Sequence, residues 1–387
     1  MKRVIIRCED VARSDSPGPS LLEGAKTAHL QHLAQAGAAG LIRPKSGARI
    51  DRFELHRGLF GLGLQDPEAR AAWCYTLSCQ LDLGEDDTAW CCDFVTQRDG
   101  RIIDLTAGDI PTKESEVLIH ALNERLGSEA RMWRVGRGAR HILVLRDPAL
   151  GAEGQGAVRS SEALLGEEWK RQLPKGPLGV ALRQLIEQAL DVLDEHPVNH
   201  VRVDLEENPA NMFWLWGAAQ GAPQKPLAQR AGRSGAVVSA TFPMEGFAKS
   251  LGLDWKGIPP SLDDGPLQRL SKTLPALIAR HDVVYVHLQV ASGDPVERLC
   301  AMERIDQLVL KPLSETLSGS GSWRLLVAVD DRTNGSVPFV ALGSGLPAQP
   351  IAQLDAARFA ASPLTFHDGL GLSAWLAGTP ASAGADA

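Results

Sequence analysis

Paired cysteine is what this chain most plainly lacks. Its six cysteines, Cys8, Cys74, Cys79, Cys91, Cys92 and Cys300, show no C-x-x-C spacing and are far too sparse for a disulfide scaffold. That excludes a zinc ribbon and leaves buried free thiols as the expectation. A basic surface is lacking too: the net charge is -7, the pI is near 5.8, and no Lys/Arg stripe appears, which excludes a nucleic-acid partner. No apolar run is long enough to span a bilayer, and the run near Met1 is too short for a signal peptide, so no membrane role is expected and the cytoplasm is the expected location. Tyrosine is scarce, with 2 against 9 Trp. Such an excess of Trp fills core and pocket walls or, if exposed, forms a docking face for a protein partner.

What is present is an ordinary globular composition, 44% apolar and 22% charged, on a chain of 387 residues, long enough for two domains. Val4 to Cys8 reads as a strand whose C-terminal end delivers Glu9 and Asp10, the end at which open α/β sheets bind ligands. A helix is expected from about Ser20 to Gln35, stopped by Gly37. Its His29 and His32 suit a surface or groove better than a metal, since no carboxylate accompanies them. Lys45 to Phe60 is basic and irregular. Trp73 to Asp82, Asp93 to Thr96, Arg101 to Leu105 and Arg140 to Leu145 read as strands. Between them lies a helix from about Lys113 to Leu126, with Thr112 as its N-cap and Gly127 past its end. Gly151 to Ser161 is a Gly/Ala/Ser-rich loop, followed by a helix with Leu182, Leu185, Ile186, Ala189, Leu190 and Leu193 on one face. Gly235 to Thr241, Val283 to Leu288 and Leu325 to Val329 are continuous apolar runs of strand length, the pattern of a sheet covered on both faces.

The organising stretch lies mid-chain, at Asn208-Pro209-Ala210-Asn211-Met212-Phe213-Trp214-Leu215-Trp216-Gly217. Pro209 cannot donate a ladder hydrogen bond and biases Asn208 away from helix, so Asn208 to Asn211 reads as a turn feeding a buried strand. The two Asn side chains either close their own turn backbone or offer donors and acceptors to hydroxyls and phosphate oxygens.

With Asn199, Arg202 and Val203, this stretch resembles the signature of the archaeal-type cofactor-independent phosphoglycerate mutases, members of the alkaline phosphatase superfamily. Similar matches are Leu22-Glu23-Gly24-Ala25-Lys26-Thr27, Asp99-Gly100 with Asp104 and Ala107-Gly108, Arg140-His141, Val284-Tyr285-Val286-His287 and Glu303-Arg304-Ile305-Asp306. In order, the matches cover most of residues 3 to 345. The resemblance implies an α/β fold: an alkaline-phosphatase-like, doubly wound, mostly parallel sheet from residues 1–64 and 205–377, with an α+β phosphomutase-type domain inserted at 65–204. The tail at 378–387 is Ala/Gly/Ser-rich and expected to be disordered.

The family interconverts 3- and 2-phosphoglycerate in glycolysis through a phosphorylated serine and two divalent ions. The resemblance places Arg140, His141, Arg202, Asn208 and Asn211 near a phosphorylated small metabolite, a guanidinium being suited to grip its phosphate or carboxylate. The departures fall on the chemistry. Counting back from Gly58-Leu59-Phe60-Gly61, the serine position is at or next to Arg52, and Ser46 is the only hydroxyl close by. The family's first-strand Asp is Glu9 here, with Asp10 replacing a glycine, and the later ligand segments reduce to Asp294, Asp330 and Asp331. All three imidazoles of the family's pattern are absent. A carboxylate-only remnant of Glu9, Asp10, Asp294, Asp330 and Asp331 suits at most one weakly held Mg²⁺.

Three readings follow. The first is a non-catalytic or strongly impaired mutase homologue. The second is a working mutase or phosphotransferase with ligands rearranged onto His56, His287 and His367 together with Ser46. The third is an interaction subunit with an exposed Trp-rich surface. The sequence assigns no oligomeric state.

Overall fold

A computed structural model describes residues 1–10, 21–44, 52–63, 70–146, 158–220, 234–290, 294–330 and 336–378. Ser46, Asp331, most of the Gly151 to Ser161 loop and the tail beyond residue 378 lie outside the described residues. The chain divides into two units: Met1–Gln65, Ala228–Met244 and Gly252–Ala387 form one, and Asp66–Leu227 with Glu245–Leu251 the other. In chain order the strands are β1 (Lys2–Glu9) and β2 (Ala38–Ile42) in the first unit, then β3 (Thr88–Arg98), β4 (Arg101–Asp104), β5 (Arg131–Arg137), β6 (Arg140–Leu145) and β7 (Met212–Gln220) in the second. The first unit resumes with β8 (Gly235–Ser239), β9 (Asp254–Gly257), β10 (Val283–Gln289), β11 (Trp323–Val329), β12 (Val337–Gly343) and β13 (Thr365–Phe366).

The first unit holds an eight-stranded sheet in the order β13-β2-β12-β11-β1-β10-β8-β9. Every neighbouring pair is parallel except the two made by β12, which runs against the rest. The apolar runs forecast as β8, β10 and β11 fall where expected, because strands covered on both faces need no polar alternation. Val4, Ile6, Cys8, Val284, Val286, Leu288, Leu325, Val327 and Val329 form one side of a buried apolar cluster. Helix Asp264–Arg280 adds Leu267, Leu270, Leu274 and Ile278 to it at helical spacing.

The helix expected from Ser20 to Gln35 is broken into Leu21–Gly24 and Ala28–Ala36. The break has a polar cause. The Lys26 N–H donates to Glu303 Oε1 (2.9 Å), and the His29 and Leu30 N–H groups donate to the two oxygens of buried Asp306 (3.1 and 2.8 Å). A helix can begin afresh at Ala28 because an acid from another element satisfies its first free donors. Asp306 also faces His29 Nδ1 at 3.0 Å and opens the π-helical turn Asp306–Leu310, while His32 is exposed.

The second unit is α+β: an antiparallel sheet in the order β4-β3-β6-β5, with β7 on β3. Three expectations change here. The segment expected as a strand from Trp73 to Asp82 is a helix, Ala71–Ser78, with Ala71 to Thr76 all buried. Aromatic and β-branched residues favoured a strand, but tertiary burial overrides that propensity. Gly246 lies so close that a Cβ there would meet the Cys74 carbonyl oxygen. β7, read as the return to the core sheet after residue 204, instead pairs with β3 from Met212 to Gln220, since an apolar run does not say which sheet receives it. Thr112 is the first residue of helix Thr112–Leu126 rather than its cap; its hydroxyl accepts from the Gly138 N–H (2.9 Å).

No tryptophan is exposed: Trp73, Trp90, Trp133, Trp169, Trp214, Trp216 and Trp375 are buried, and Trp255 and Trp323 are half-buried. The Trp-rich docking surface is therefore overturned, the rings serving as core. All six cysteines are free, four of them buried. Among the described residues no helix is long and apolar enough to cross a membrane.

Candidate functional site

Strand alternation builds the candidate site. On β1, Val4, Ile6 and Cys8 enter the apolar cluster, so Ile5, Arg7 and Glu9 lie on the opposite face. β10 runs parallel in register, placing Tyr285 beside Ile5, His287 beside Arg7 and Gln289 beside Glu9. Asp330 follows β11 directly, its N–H bonded to the Cys8 carbonyl at 2.8 Å. Helix Arg52–Leu59 supplies Arg52 and His56, although this segment was expected to be irregular. Asp10 closes the strand in the left-handed region, φ 58°. Glycine favours that conformation and Asp tolerates it, which fits a position that is glycine in the family.

Glu9 is the hub. Arg52 Nη1 lies 2.7 Å from Glu9 Oε1, and Arg52 Nη2 lies 2.9 Å from Asp10 Oδ1. Arg7 Nη2 is 3.1 Å from Glu9 Oε2 and 3.4 Å from Asp330 Oδ2, while its Nη1 donates to the Arg52 carbonyl at 2.9 Å. Glu9 Oε2 lies 3.0 Å from His287 Nε2 and 3.5 Å from His56 Nε2. Behind each ring stands a hydroxyl: Tyr285 at 2.6 Å from His56 Nδ1, and Ser239 at 3.0 Å from His287 Nδ1. A hydroxyl donates or accepts, so either ring can present its Nε2 as an N–H or as a lone pair.

Burial and charge act in opposition here. Burial alone would raise Glu9, but Arg52, Arg7 and the two imidazoles hold its carboxyl well below the usual carboxylate range. Burial lifts Asp330 to about 6, with Arg7 only partly offsetting it. Burial, reinforced by Arg7 and His287, keeps His56 well below the usual histidine range, so it is neutral at pH 7.

A carboxylate oxygen of Glu9 and one ring nitrogen each of His56 and His287 lie within 4.8 Å of one another, forming the one such group of three potential metal donors among the described residues. Two imidazoles thus meet the first-strand carboxylate, and the carboxylate-only remnant is corrected. Asp330 belongs to the cluster through Arg7. Asp294 instead caps helix Pro295–Ile305, accepting from the Val296 N–H (2.9 Å), and is not among the converging donors. His367 is exposed and faces the Arg43 carbonyl.

In the second unit, Arg140 Nη1 binds buried Asp93 Oδ2 at 2.6 Å, beside Ser161 and the Trp216 indole N–H on the same oxygen. His141 is fully buried, its Nδ1 accepting from the Gly136 N–H (3.1 Å), and burial lowers it to about 3. Arg202, also buried, pairs with Glu114 (2.6 Å) and Glu207 (3.1 Å) and donates to the carbonyls of Ala107, Gly108 and Asn208. Asn208 donates to Asp104 Oδ2 (2.7 Å), and Asn211 pairs with both backbone groups of Gln97.

The sequence pointed to Glu9, Asp10, Arg52 and Asp330 and, for a rearranged site, to His56 and His287, but gave no role to Arg7. The signal was available: Arg7 stands two residues before Glu9 on a strand, hence on its face.

The family model for 2,3-bisphosphoglycerate-independent phosphoglycerate mutase matches residues 72–199. The chain is 30% identical over 328 residues to the 2,3-bisphosphoglycerate-independent phosphoglycerate mutase of Methanosarcina acetivorans, covering 82% of each. To the enzyme of Methanothermobacter thermautotrophicus with that name and the suffix 2, it is 27% identical over 379 residues, 92% of each. The solved cofactor-independent phosphoglycerate mutase from Thermoplasma acidophilum superposes with a TM-score of 0.57 at 22% identity, covering 98% of this chain and 99% of that one. The likeness in structure, over nearly the whole chain, shows an alkaline-phosphatase-like fold.

Proposed function

Because this chain belongs to the 2,3-bisphosphoglycerate-independent phosphoglycerate mutase family, we propose that it is a member in which serine-based phosphoryl transfer is absent or strongly impaired. One observation carries the reading: Arg52, at the position expected for the serine, seats its guanidinium on Glu9 and Asp10. Arginine offers no nucleophile. Nor do these residues fit two divalent ions. Two adjacent dications need dense anionic ligation, whereas Glu9, Asp10 and Asp330 already face two fixed cations, Arg7 and Arg52.

For a phosphorylated small metabolite, the ligand class that the relatives' name suggests, Arg140 is the proposed anion ligand. Its side chain keeps 21% exposure, against 3% for Arg202. Arg202, Asn208 and Asn211 are engaged with Glu114, Glu207, Asp104 and backbone groups instead.

The test is an enolase-coupled assay of 3- to 2-phosphoglycerate conversion, with Mg²⁺, Mn²⁺ and Co²⁺ each supplied, beside an active archaeal relative. The expected kcat/KM is below the relative's by at least ~10³-fold, in line with the cost of removing a nucleophile. Turnover within tenfold of the relative refutes the reading. A second reading, a working metal enzyme with a rearranged site, draws its support from the convergence of Glu9, His56 and His287. Metal-dependent turnover in the same assay would select it.

A further inference from the structure

We propose that Arg52 is the resident cation of this site, and that it closes a latent mononuclear metal site formed by Glu9, His56 and His287. The inference rests on the reading above and deepens it by naming the group that keeps a metal ion out.

The donor set is coherent. It comprises one carboxylate oxygen and two imidazole nitrogens within 4.8 Å, each imidazole backed by a hydroxyl that fixes its orientation. Such a set suits Zn²⁺ or Co²⁺ and serves Mg²⁺ poorly, since Mg²⁺ prefers oxygen and keeps its waters. With Tyr285 and Ser239 accepting from the Nδ1–H groups, both Nε2 lone pairs turn toward Glu9. What stands in the way is charge. Arg52 grips Glu9 Oε1 and Asp10 Oδ1, and Arg7 lies on Glu9 Oε2. A dication entering the triad would meet two guanidiniums a few ångströms away inside the protein, where like charges are poorly screened.

Of the two, Arg52 is the removable one. Its side chain is 18% exposed, and it starts a helix, where a cation opposes the helix dipole unless acids hold it. Arg7 is 1% exposed and ties β1 to Arg52 and Asp330. Removing Arg52 therefore takes away one cation, frees Glu9 Oε1 and leaves the three donors in place.

Cobalt(II) alone is the probe, titrated at neutral pH into wild type, His287→Ala, Arg52→Lys, Arg52→Ala and Arg52→Ala/His287→Ala, and read by visible d–d absorption and by metal retained after gel filtration. Wild type and Arg52→Lys are expected to show no band and to retain no cobalt. Arg52→Ala gains the band and retains one equivalent, and the His287→Ala double variant loses both. Two results overturn the proposal: one equivalent retained by wild type with a d–d band that His287→Ala abolishes, or a folded Arg52→Ala that retains none. If Arg52→Ala fails to fold, Arg52→Gln takes its place, and the wild-type titration still decides whether the site is closed. Failure here is separable from failure of the functional reading. Cobalt on wild type without mutase turnover sinks only this inference; mutase turnover in protein that retains no metal sinks only the other.

Discussion

Asp330 shows what a buried carboxylate costs when its partner is shared. Arg7 gives its shorter contact to Glu9, 3.1 Å against 3.4 Å, so burial dominates at Asp330 and lifts it from 3.8 to about 6. Between those values the folded protein holds a proton that the unfolded chain has released. Stability therefore falls as pH rises through that window and stays lower above it. Two neighbours run the other way. Glu9, held low, contributes stability that is lost only in stronger acid, and His56, held neutral, loses stability as pH drops below 6.5 because the unfolded chain protonates first. Comparing wild type with Asp330→Asn cancels both to first order. The variant should gain on wild type between about pH 4.5 and pH 7.5, by about 2 kcal/mol in urea denaturation if the whole shift is realised. An equal difference at both pH values would remove Asp330 as the titrating group. At this scale the sequence offered the acids and, among the candidates for a rearranged site, His56 and His287, but not the guanidinium of Arg7 or the geometry that joins them. His287 reaches Glu9 only because β10 lies in register beside β1, and a strand register between residues far apart in the chain leaves no local trace.

Among the elements, those whose pattern reports their own burial were the legible ones. β10 and β11 read as unbroken apolar runs and fold as central parallel strands; helix Pro177–Asp194 buries its apolar stripe at the forecast positions, with Leu190 half-buried at its margin. Elements defined by something outside themselves were not. Ala71–Ser78 has a strand's composition and a helix's structure, and the break at Ala25–Thr27 depends on acids from a distant helix. Asp306 supplies the test of that dependence. It is fully buried and takes the His29 and Leu30 N–H groups, so Asp306→Ala strands two helix-start donors. The expected loss is about 2–4 kcal/mol, combining a lost cap with unsatisfied buried N–H groups. Asp306→Asn, which keeps acceptor oxygen, should lose less. A lowered urea midpoint at unchanged m-value would be the signature, and a loss below ~0.5 kcal/mol for the Ala variant would show that the helix start is held by packing instead.

For the molecule as a whole, the residues that carry the family likeness and those that would carry its chemistry separate. Asn199 pairs with the backbone of Leu193 and Ala210, Asn211 with Gln97, and Arg202 with two acids and three carbonyls; Asp99 and Gly100 form a turn at positive φ. These side chains close turns and pin β7, so a chain can keep them for its fold whatever happens at Glu9. That is why the family was readable from the sequence while the site was legible only as a set of candidates, without its arrangement. The same separation bears on metal dependence. In the cluster around Glu9 the chain neutralises its own carboxylates with Arg7 and Arg52, and the closed site proposed above then draws no stability from a bound ion. An ion held a hundredfold above its dissociation constant would add roughly 2.7 kcal/mol, enough to raise the Tm by several degrees. Thermal unfolding of the purified protein should therefore be unchanged, within about 1 °C, by excess EDTA or by millimolar Mg²⁺. A chelator-induced fall of several degrees, reversed by one added metal, would mean that an ion and not a guanidinium balances Glu9.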